Sequence, residues 1–559
     1  MKGQKLVYSP VSLWKNFDSV SLPFEQEVVK SEEVEGIVYD HIYFNGNSYE
    51  DGVSRIYGIF AYKKGKKDLP AIVLISDVGC PIDQKEISFW VKKGYAVFGF
   101  DNMGKNDAQE YFTQYPESVA YANYLLAERH LTHCDTNAKE TSWYHWAANT
   151  RRAISYVVAH DFVDKESVGL LAKKDSAITA CMAGAFDDRL AACAVVFGVC
   201  YQEMEIYPGN TLEEVERAEE RERWFAGIAP QSYLMHMQTP FFLTIGANSS
   251  ATDLDKTHDA LNLIPKQTPW AMWIAEKLLD AGGENFVKNL DKWLNMRLKK
   301  QIDESLLPVS CFRKINGKLN VVVRVPDEEE VQEVQIFCSH EAVKNSVRYW
   351  SKVQLSNVAD GIYCAEIDIF DKTKACYAYS NVRYRGGLVL STNIIEVDAD
   401  YLKDVKESKK TKTIYAGNMG ATVFQIYSPF DKEQNVYEEK KLEMQTGPFD
   451  IRGLAGRKFA TFALNDAKYI KGEDSVLAFD VYSKTEQEIV LSVITNYGPD
   501  QKVYSAQRKL VGGEIWQKIC ISHDELKCDR AKGLSGWGVC EVLCIQADEE
   551  IVINNIVLS

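Results

Sequence analysis

The sequence predicts a doubly wound α/β sheet followed by two all-β sandwich domains, and three observations lead to this fold class. Residues 1–302 alternate short apolar runs with helical stretches, a pattern typical of parallel strands covered by helices on both faces. From residue 303 onward the apolar positions recur with period two, which is typical of antiparallel strands with one buried face. The length of 559 residues suits roughly three or four domains of ordinary size, which fits this division.

Six short apolar runs are predicted to form the strands of the first sheet, because they lack the polar alternation of a half-exposed strand. They lie at 71–76, 96–100, 168–172, 194–198, 241–246 and 271–275. The helical stretches between and after them lie at 83–93, 143–160, 176–187 and 284–298. Two alternating runs at 36–44 and 54–62 predict an antiparallel hairpin ahead of the sheet. The charged run 212–223 predicts a solvated helix over the carboxyl edge.

The rest of the chain divides into two all-β domains and a polar segment between them. Residues 303–402 carry strand patterns separated by turn residues, which predicts a small sandwich of immunoglobulin-like size. Residues 403–440 are rich in lysine and polar side chains and are predicted to be a linker region. The strand pattern resumes over 441–559 and predicts a jelly-roll sandwich.

Composition and charge narrow the class of partner and the compartment. There are 64 Lys and Arg residues against 79 Asp and Glu, a net charge of −15, which argues against nucleic acid and against an anionic membrane as partners. No apolar run has the length of a signal peptide or a membrane span. The 13 cysteines contain no C-x-x-C pair. We therefore expect a cytoplasmic protein whose reduced cysteines serve as small core residues.

One segment leads from a predicted strand through a sharp turn into a helix and on to an Asp-Arg pair. It runs from Val168 to Arg189 and reads VGLLAKKDSAITACMAGAFDDR. It resembles the α/β-hydrolase fold, and within it the branch of acetyl xylan esterases and dienelactone hydrolases. The resemblance extends to Gly94-Tyr95-Ala96-Val97 before Asp101 and Gly104, and to the Arg151–Ile154 helix. It implies that residues 1–302 form a hydrolase-like domain. The last sandwich resembles a carbohydrate-binding module at 514–518 and 553–556.

In this family the turn carries a G-x-S-x-G motif, in which small residues flank the nucleophile so that strand and helix approach closely. Centring the motif on Lys174 places the small residues Ala172 and Ser176 at the flanking positions. Centring it on Ser176 would place Lys174 and Ile178 there, and both are too large. Neither G-x-S-x-G nor G-x-C-x-G occurs in the sequence. The resemblance therefore puts Lys174 at the nucleophile position, where we predict strained backbone.

The resemblance also implies an acid after the strand 241–246 and a histidine after the last strand. The nearest match to the acid is Asn248, and Asp253 or Asp255 could replace it only with a different loop path. The expected histidine loop, 276–284, contains no histidine; the nine histidines stand at 41, 130, 133, 145, 160, 236, 258, 340 and 523. We therefore expect no imidazole within hydrogen-bonding reach of Lys174, unless His258, His236 or His145 arrives from elsewhere.

Several other residues are candidates for ligand binding, each with a structural alternative. Lys174 at a helix N-terminus suits an anionic group, or it belongs to an ordinary turn. Asp77 and Gly79 match the oxyanion-hole region, where a carboxylate would repel an oxyanion. Asp175 and Ser176 are predicted either to bind a ligand or to cap the helix that follows them. Trp143 and Tyr144 form a sugar platform or pack in the core.

Metal binding is not expected. His130, His133 and Asp135 have ligand-like spacing but lack a third histidine nearby. No residue pattern calls for a metal or another cofactor.

These observations leave three functions open. The first is an esterase-like protein without the Ser-Asp-His triad that binds a carbohydrate or small acyl-ester ligand, and the missing serine and histidine favour it. The second is an active carbohydrate esterase of the acetyl-xylan type with an unorthodox site. The third is a non-catalytic structural or interaction protein. The oligomeric state is left open.

Overall fold

The computed structural model describes residues 5–105, 110–203, 209–249, 253–276, 284–300, 307–326, 330–340, 344–355, 357–421, 423–425, 442–498, 500–529 and 533–559. The chain packs as two compact units. The first comprises Met1–Ile245, Ala251–Met272 and Asp291–Ser305, and the second comprises Gly246–Ser250, Trp273–Leu290 and Leu306–Ser559.

The amino-terminal part contains a nine-stranded sheet with helices. Its strands are β1 (Glu27–Val34), β2 (Ile37–Tyr49), β3 (Gly52–Lys63), β4 (Leu69–Ile75), β5 (Ala96–Asp101), β6 (Val163–Lys173), β7 (Leu190–Val196), β8 (Phe241–Gly246) and β9 (Trp270–Ala275). Its helices are α1 (Pro10–Trp14), α2 (Gln84–Lys92), α3 (Ser142–Val158), α4 (Ala177–Gly184), α5 (Leu212–Gly227), α6 (Pro230–Leu234), α7 (Leu254–Leu261) and α8 (Glu284–Leu298).

The strand order of this sheet is β1-β2-β3-β5-β4-β6-β7-β8-β9. Strands β4 to β8 are parallel, and β1, β2 and β3 run antiparallel to their neighbours. The predicted hairpin is β2 and β3, and all six predicted apolar runs overlap strands. The doubly wound fold class is therefore confirmed. Strand β1 was not predicted because half of its side chains are charged and none is buried.

Polar residues mark where the main helices begin. Asp83 accepts hydrogen bonds from the backbone N–H groups of Lys85 and Glu86 at the start of α2. The Thr141 hydroxyl accepts from Tyr144 N at the start of α3. Helix α5, the predicted charged helix, begins with a capping box of Thr211 and Glu214. These side chains satisfy N–H groups that a helix leaves unpaired at its first turn.

The carboxyl-terminal half consists of antiparallel sheets, as predicted. Two sheets, of four and five strands, contain β10 (Val309–Ile315), β11 (Lys318–Arg324), β12 (Val331–His340), β13 (Ser351–Val353), β14 (Asn357–Ala359), β15 (Ile362–Ile367), β16 (Cys376–Tyr384), β17 (Val389–Ser391) and β18 (Ile395–Val397). A short helix α9 (Ala399–Leu402) follows.

The last sheet has eight strands: β19 (Thr413–Tyr415), β20 (Glu443–Thr446), β21 (Arg452–Thr461), β22 (Val476–Ser483), β23 (Gln487–Thr495), β24 (Lys502–Leu510), β25 (Trp516–Ser522) and β26 (Val542–Leu558). Strand β19 lies within the predicted linker region and pairs with β26. Trp537, Tyr497 and Tyr504 are buried, whereas Trp516 is half-buried and packs against Tyr482.

Strand β9 lies at one end of the nine-strand order, and its residues from Trp273 onward belong to the second unit, as do Asn381 and Ser391. Ile274 N donates to Ser391 Oγ at 2.7 Å, and Asn381 Nδ2 donates to Ile274 O at 3.0 Å. Ser391 Oγ in turn donates to Asn381 Oδ1 at 2.5 Å. Two side chains from β16 and β17 thus satisfy both backbone groups of one β9 residue.

All thirteen cysteines are free thiols, and eight of them are buried. None of the described helices has both the length and the apolarity that crossing a bilayer requires.

Candidate functional site

Three loops meet where β4, β6 and β7 reach the carboxyl edge of the sheet. The turn after β6 begins at Lys174, and Val199 N from the loop after β7 donates to Lys174 O at 3.4 Å. From the same turn, Ser176 Oγ donates to Ser76 O, just after β4, at 2.6 Å. These contacts fix the turn against both neighbouring strands. Ligands of open α/β sheets bind at such a carboxyl edge.

Lys174 adopts the left-handed backbone conformation that an α/β-hydrolase elbow requires. Its φ is 46°, which costs a side-chain-bearing residue about 1–2 kcal/mol. A Cβ on Gly198 would lie only 2.6 Å from Ala177 Cβ and 3.1 Å from Lys174 O, so the next loop also packs closely on the turn. The strained backbone expected at Lys174 is present, and so are the small flanking residues Ala172 and Ser176.

The elbow carries alternating charges. Lys174 Nζ lies 3.3 Å from Asp77 Oδ2, and about half of the lysine side chain is exposed. Burial of the Asp175 carboxyl among protein atoms, together with the negative charge of Asp77, raises the pKa of Asp175, although part of the residue surface is open to solvent. The charge of Lys174 is therefore matched within the chain by Asp77.

Ser176 does not cap helix α4, contrary to the structural alternative considered from the sequence. Its φ and ψ are −64° and −9°, already helical, so its hydroxyl is not placed to accept from the first N–H groups of the helix. The hydroxyl bonds to Ser76 O instead, and no side-chain cap is formed by Ser176 or Asp175. The role left to Ser176 is to join the elbow to the loop after β4.

Gly79 lies in the loop that matches the oxyanion-hole region. Its φ is 75°, and a Cβ there would lie 3.0 Å from the Tyr124 ring, so glycine is required on both counts. Gly79 N donates to Met103 Sδ at 3.1 Å. The backbone of Met103 in turn donates to Asp101 Oδ1 at 2.8 Å. Burial raises the pKa of Asp101 to about 7 even though backbone N–H groups donate to its carboxyl.

All nine histidines lie in described parts of the chain, and none of them forms a hydrogen bond or ion pair with Lys174, Asp77 or Asp175 there. The three histidines that the sequence left as alternative bases have other neighbours. His145 lies between the hydroxyls of Tyr49 and Tyr121, and His258 lies near the amide of Asn262. His236 packs against Phe186. Of the expected histidine loop, residues 277–283 lie outside the described residues.

The acid position is occupied by a buried amide. Asn248 Nδ2 donates to Arg348 O at 2.7 Å and to Ser346 O at 3.4 Å. Beside it, Trp350 Nε1 donates to Ala247 O at 3.1 Å. These residues belong to the second unit, in which Asn248 is only 3% exposed. The alternative acid, Asp253, caps helix α7 by accepting from Lys256 N at 2.9 Å.

Trp143 is buried and donates its indole N–H to Leu131 O at 2.9 Å, which is core packing. Tyr144 packs against Trp14 and lines a cleft. Asp135 pairs with Arg129, and His130 stacks on Tyr121. Across the described residues, no group of three or more His, Cys, Asp or Glu side chains is placed to hold a metal ion.

The polar side chains that lie under the cleft lined by Tyr144 were not predicted from the sequence as a group. Helix α3 presents His145, Asn149 and Arg152 on its buried side, with spacings of four and three residues. Polar residues repeating at helical spacing on a face that otherwise packs apolar side chains are the signal that could have revealed them.

No family model and no curated protein matches the sequence. Among solved structures, an acetyl xylan esterase from Paenibacillus sp. R4 is similar, at 16% identity and a TM-score of 0.39, with 53% of this chain and 97% of that chain covered. Acetyl xylan esterase 1 from Thermoanaerobacterium sp. has 14% identity and a TM-score of 0.37, covering 49% and 89%. A glucuronoyl esterase from Solibacter usitatus has 12% identity and a TM-score of 0.34, covering 52% and 91%. The strand order and the strained turn after β6 show that the amino-terminal part has the α/β-hydrolase fold.

Proposed function

We propose that this protein binds a carbohydrate or small acyl-ester ligand at the carboxyl edge around Lys174 and does not hydrolyse it through a Ser-Asp-His triad. The observation that carries the proposal is Lys174 itself, which holds the nucleophile position in a strained conformation with its ammonium group beside Asp77. Strained backbone of this kind persists when the surrounding structure holds it, and it concentrates at functional sites.

The chemistry of the elbow supports binding rather than acyl transfer. An ammonium group at this position is not a hydroxyl nucleophile, and within the part of the chain that the structure describes no histidine is hydrogen-bonded to it. Asp77 places a carboxylate where a hydrolase must stabilise a developing oxyanion. Loss of one triad member already costs several orders of magnitude in rate.

The charge pattern bears on the class of ligand. Asp77, Lys174 and Asp175 alternate in sign, and the lysine charge is matched by its ion pair. Such a surface offers both donors and acceptors to hydroxyl and ester groups. A ligand with a carboxylate would have to displace Asp77 from Lys174, so a neutral sugar or sugar ester fits better.

Acetylated xylobiose is a suitable probe of this proposal. We expect calorimetry to detect its binding to the full chain, and NMR to show that its acetyl groups remain attached. Binding should weaken at least about tenfold in Lys174→Ala, which corresponds to about 1.4 kcal/mol. Lys256→Ala, at an exposed lysine of helix α7, is the matched control. Acetate release above the buffer rate that is lost in Lys174→Ala would overturn the proposal.

A second function, an active carbohydrate esterase with an unorthodox site, is favoured by one observation. Asp175 places a second carboxyl directly after the elbow residue, close enough to Asp77 for their negative charges to interact, and a carboxyl at the carboxyl edge can serve as a general acid or base. Hydrolysis of p-nitrophenyl acetate that is lost in Asp175→Asn and retained in Asp255→Asn would support this function.

A further inference from the structure

A cleft of about 470 Å³ opens in the first unit, and Lys174 is not part of its lining. It is formed by α1 and the segment after it, the end of β2 and the start of α3. Its lining combines aromatic rings with amides, hydroxyls and a few charges, among them Phe17, Asp18, Asn47, Tyr49, Lys139 and Tyr144. A concave site of this size with few charges suits a small polar ligand.

The polar wall of the cleft is created by a β-bulge. The register of β2 against β3 shifts between Asn45 and Ser48, so that Gly46 and Asn47 are displaced from regular pairing. A Cβ on Gly46 would lie 2.3 Å from Ser54 Oγ, so only glycine fits there. Bulges redirect side chains and occur next to functional sites.

Buried side chains hold the polar wall in place. Asn47 Nδ2 donates to Asn149 Oδ1 at 2.7 Å, and Asn149 Nδ2 donates to Tyr115 Oη at 2.8 Å. Tyr49 Oη lies 3.0 Å from His145 Nδ1. Burial lowers the pKa of His145 to about 3, so the imidazole is neutral and can accept from one neighbour while donating to the other.

A buried cation fixes the rim of the cleft. Arg152 is 1% exposed and donates to the backbone carbonyls of Ser19, Leu22 and Asn45, at 2.7 to 3.3 Å. It thereby ties the segment after α1 to the strand at the bulge. Burial lowers the pKa of Arg152 to about 10, which leaves it charged at neutral pH.

This amount of buried polarity is costly for a fold that could fill the same space with apolar side chains. Two members of the network, Asn47 and Tyr49, also line the cleft. The network is therefore arranged to present an amide and a phenol in fixed positions. Rigid support of this kind is what a binding site needs, since it reduces the entropy lost when a ligand is bound.

We propose that this cleft is a carbohydrate-binding site, in which Tyr144 and Phe17 contact the C–H surface of a sugar ring and Asn47 and Tyr49 bond to its hydroxyls. Sugars combine an apolar ring face with a rim of hydroxyl groups, and the lining supplies a partner for each. The charged residues of the lining are Lys15, Lys139 and Asp18, which sum to one positive charge. This charge is too small to make the cleft selective for an anionic ligand. The site is separate from the elbow and does not depend on the function proposed there.

Saturation-transfer NMR and calorimetry on the full chain, with xylobiose, cellobiose, mannobiose and galactobiose as probes, test this proposal. We expect at least one disaccharide to bind, and Tyr144→Ala to weaken its binding at least about tenfold, equivalent to about 1.4 kcal/mol. Tyr144→Phe should retain binding, because the ring is kept. Tyr401→Ala, at an exposed tyrosine of α9, is the matched control.

A second variant guards against loss of fold. Ser48 lines the cleft and is exposed, so its hydroxyl is available to bond to a sugar hydroxyl. We expect Ser48→Ala to leave the thermal unfolding midpoint unchanged while it weakens binding. If binding disappears in Lys174→Ala but survives in Tyr144→Ala, the proposal that the cleft binds carbohydrate is wrong, and the sugar binds at the elbow instead. Absence of binding by all four disaccharides would also overturn the proposal.

Discussion

Replacing Asn248 by aspartate tests whether the acid position has become a structural donor. The amide of Asn248 donates to Arg348 O and Ser346 O at 2.7 and 3.4 Å in surroundings that leave it 3% exposed. Asn248→Asp keeps the shape of the side chain but turns the donor into an acceptor facing two carbonyl oxygens. A carboxylate there must either remain charged without a partner or take up a proton.

The magnitude follows from the cost of protonation. An ordinary aspartate has a pKa near 3.9, and each unit of pH above that value costs about 1.4 kcal/mol if the folded state keeps the group neutral. The variant should therefore lose about 4 kcal/mol at pH 7 and about 1.5 kcal/mol at pH 5. Because the folded-state pKa is raised, the loss grows as the pH rises and shrinks as it falls.

Hydrogen exchange of the backbone amides in residues 344–353 measures this loss locally, at pH 5, 6 and 7. A local measurement is preferable because a chain with several domains need not unfold in two states. Asn248→Ala is the matched control: it also removes the donor but adds no charge, so its cost of about 1–3 kcal/mol should not change with pH. If Asn248→Asp destabilises the segment equally at pH 5 and pH 7, the reasoning is wrong. We also expect the variant to gain no esterase activity.

Three further predictions concern the second unit and the elbow. Burial opposes a charge on His340, but the Asp466 carboxylate, 3.3 Å away, and Cys376 together raise the pKa of the imidazole well above its ordinary value. The stabilisation is complete below about pH 6.5 and is lost as the pH rises through the raised pKa. We therefore expect the urea concentration at the unfolding midpoint to fall as the pH rises through this pKa. His340→Gln should reduce that fall, and His523→Gln should not. At the elbow, Lys174→Gly should be about 1 kcal/mol more stable than Lys174→Ala, because both lose the ion pair but only glycine relieves the positive φ; equal urea midpoints would contradict this. Gly198→Ala should lower the free energy of unfolding by about 2–3 kcal/mol, because its Cβ would lie 2.2 Å from Val195 Cγ1. Gly533→Ala, with open space around it, should lower the free energy of urea unfolding far less.

Local patterns in the sequence were enough to predict the central strands and the position of the elbow. The runs that became β4 to β9 are short and apolar because both faces of the sheet are covered, and that signal depends on neighbouring residues alone. Lys174 could be placed because the close approach of β6 and α4 demands small residues two positions before and after it. These constraints act over fewer than about ten residues.

Contacts between distant residues could not be predicted. Ser176 reads as a helix cap, but its hydroxyl bonds to Ser76, a hundred positions earlier. Asn248 reads as a substituted acid, yet its partners lie near residue 348. Strand β1 carries charged side chains on both faces and gives no periodic signal, and β19 is formed by three residues within a lysine-rich segment. In each case a partner remote in sequence decides the role.

The two side chains that bond to Ile274 have a consequence for solubility. The last strand of an open sheet normally exposes unpaired N–H and C=O groups, which can recruit a strand from another molecule and begin aggregation or domain swapping. Ser391 and Asn381 occupy both groups of Ile274, so an incoming strand would have to displace two hydrogen bonds there. Replacing Ser391 and Asn381 by alanine would free both backbone groups of Ile274 and leave this edge position open to an incoming strand.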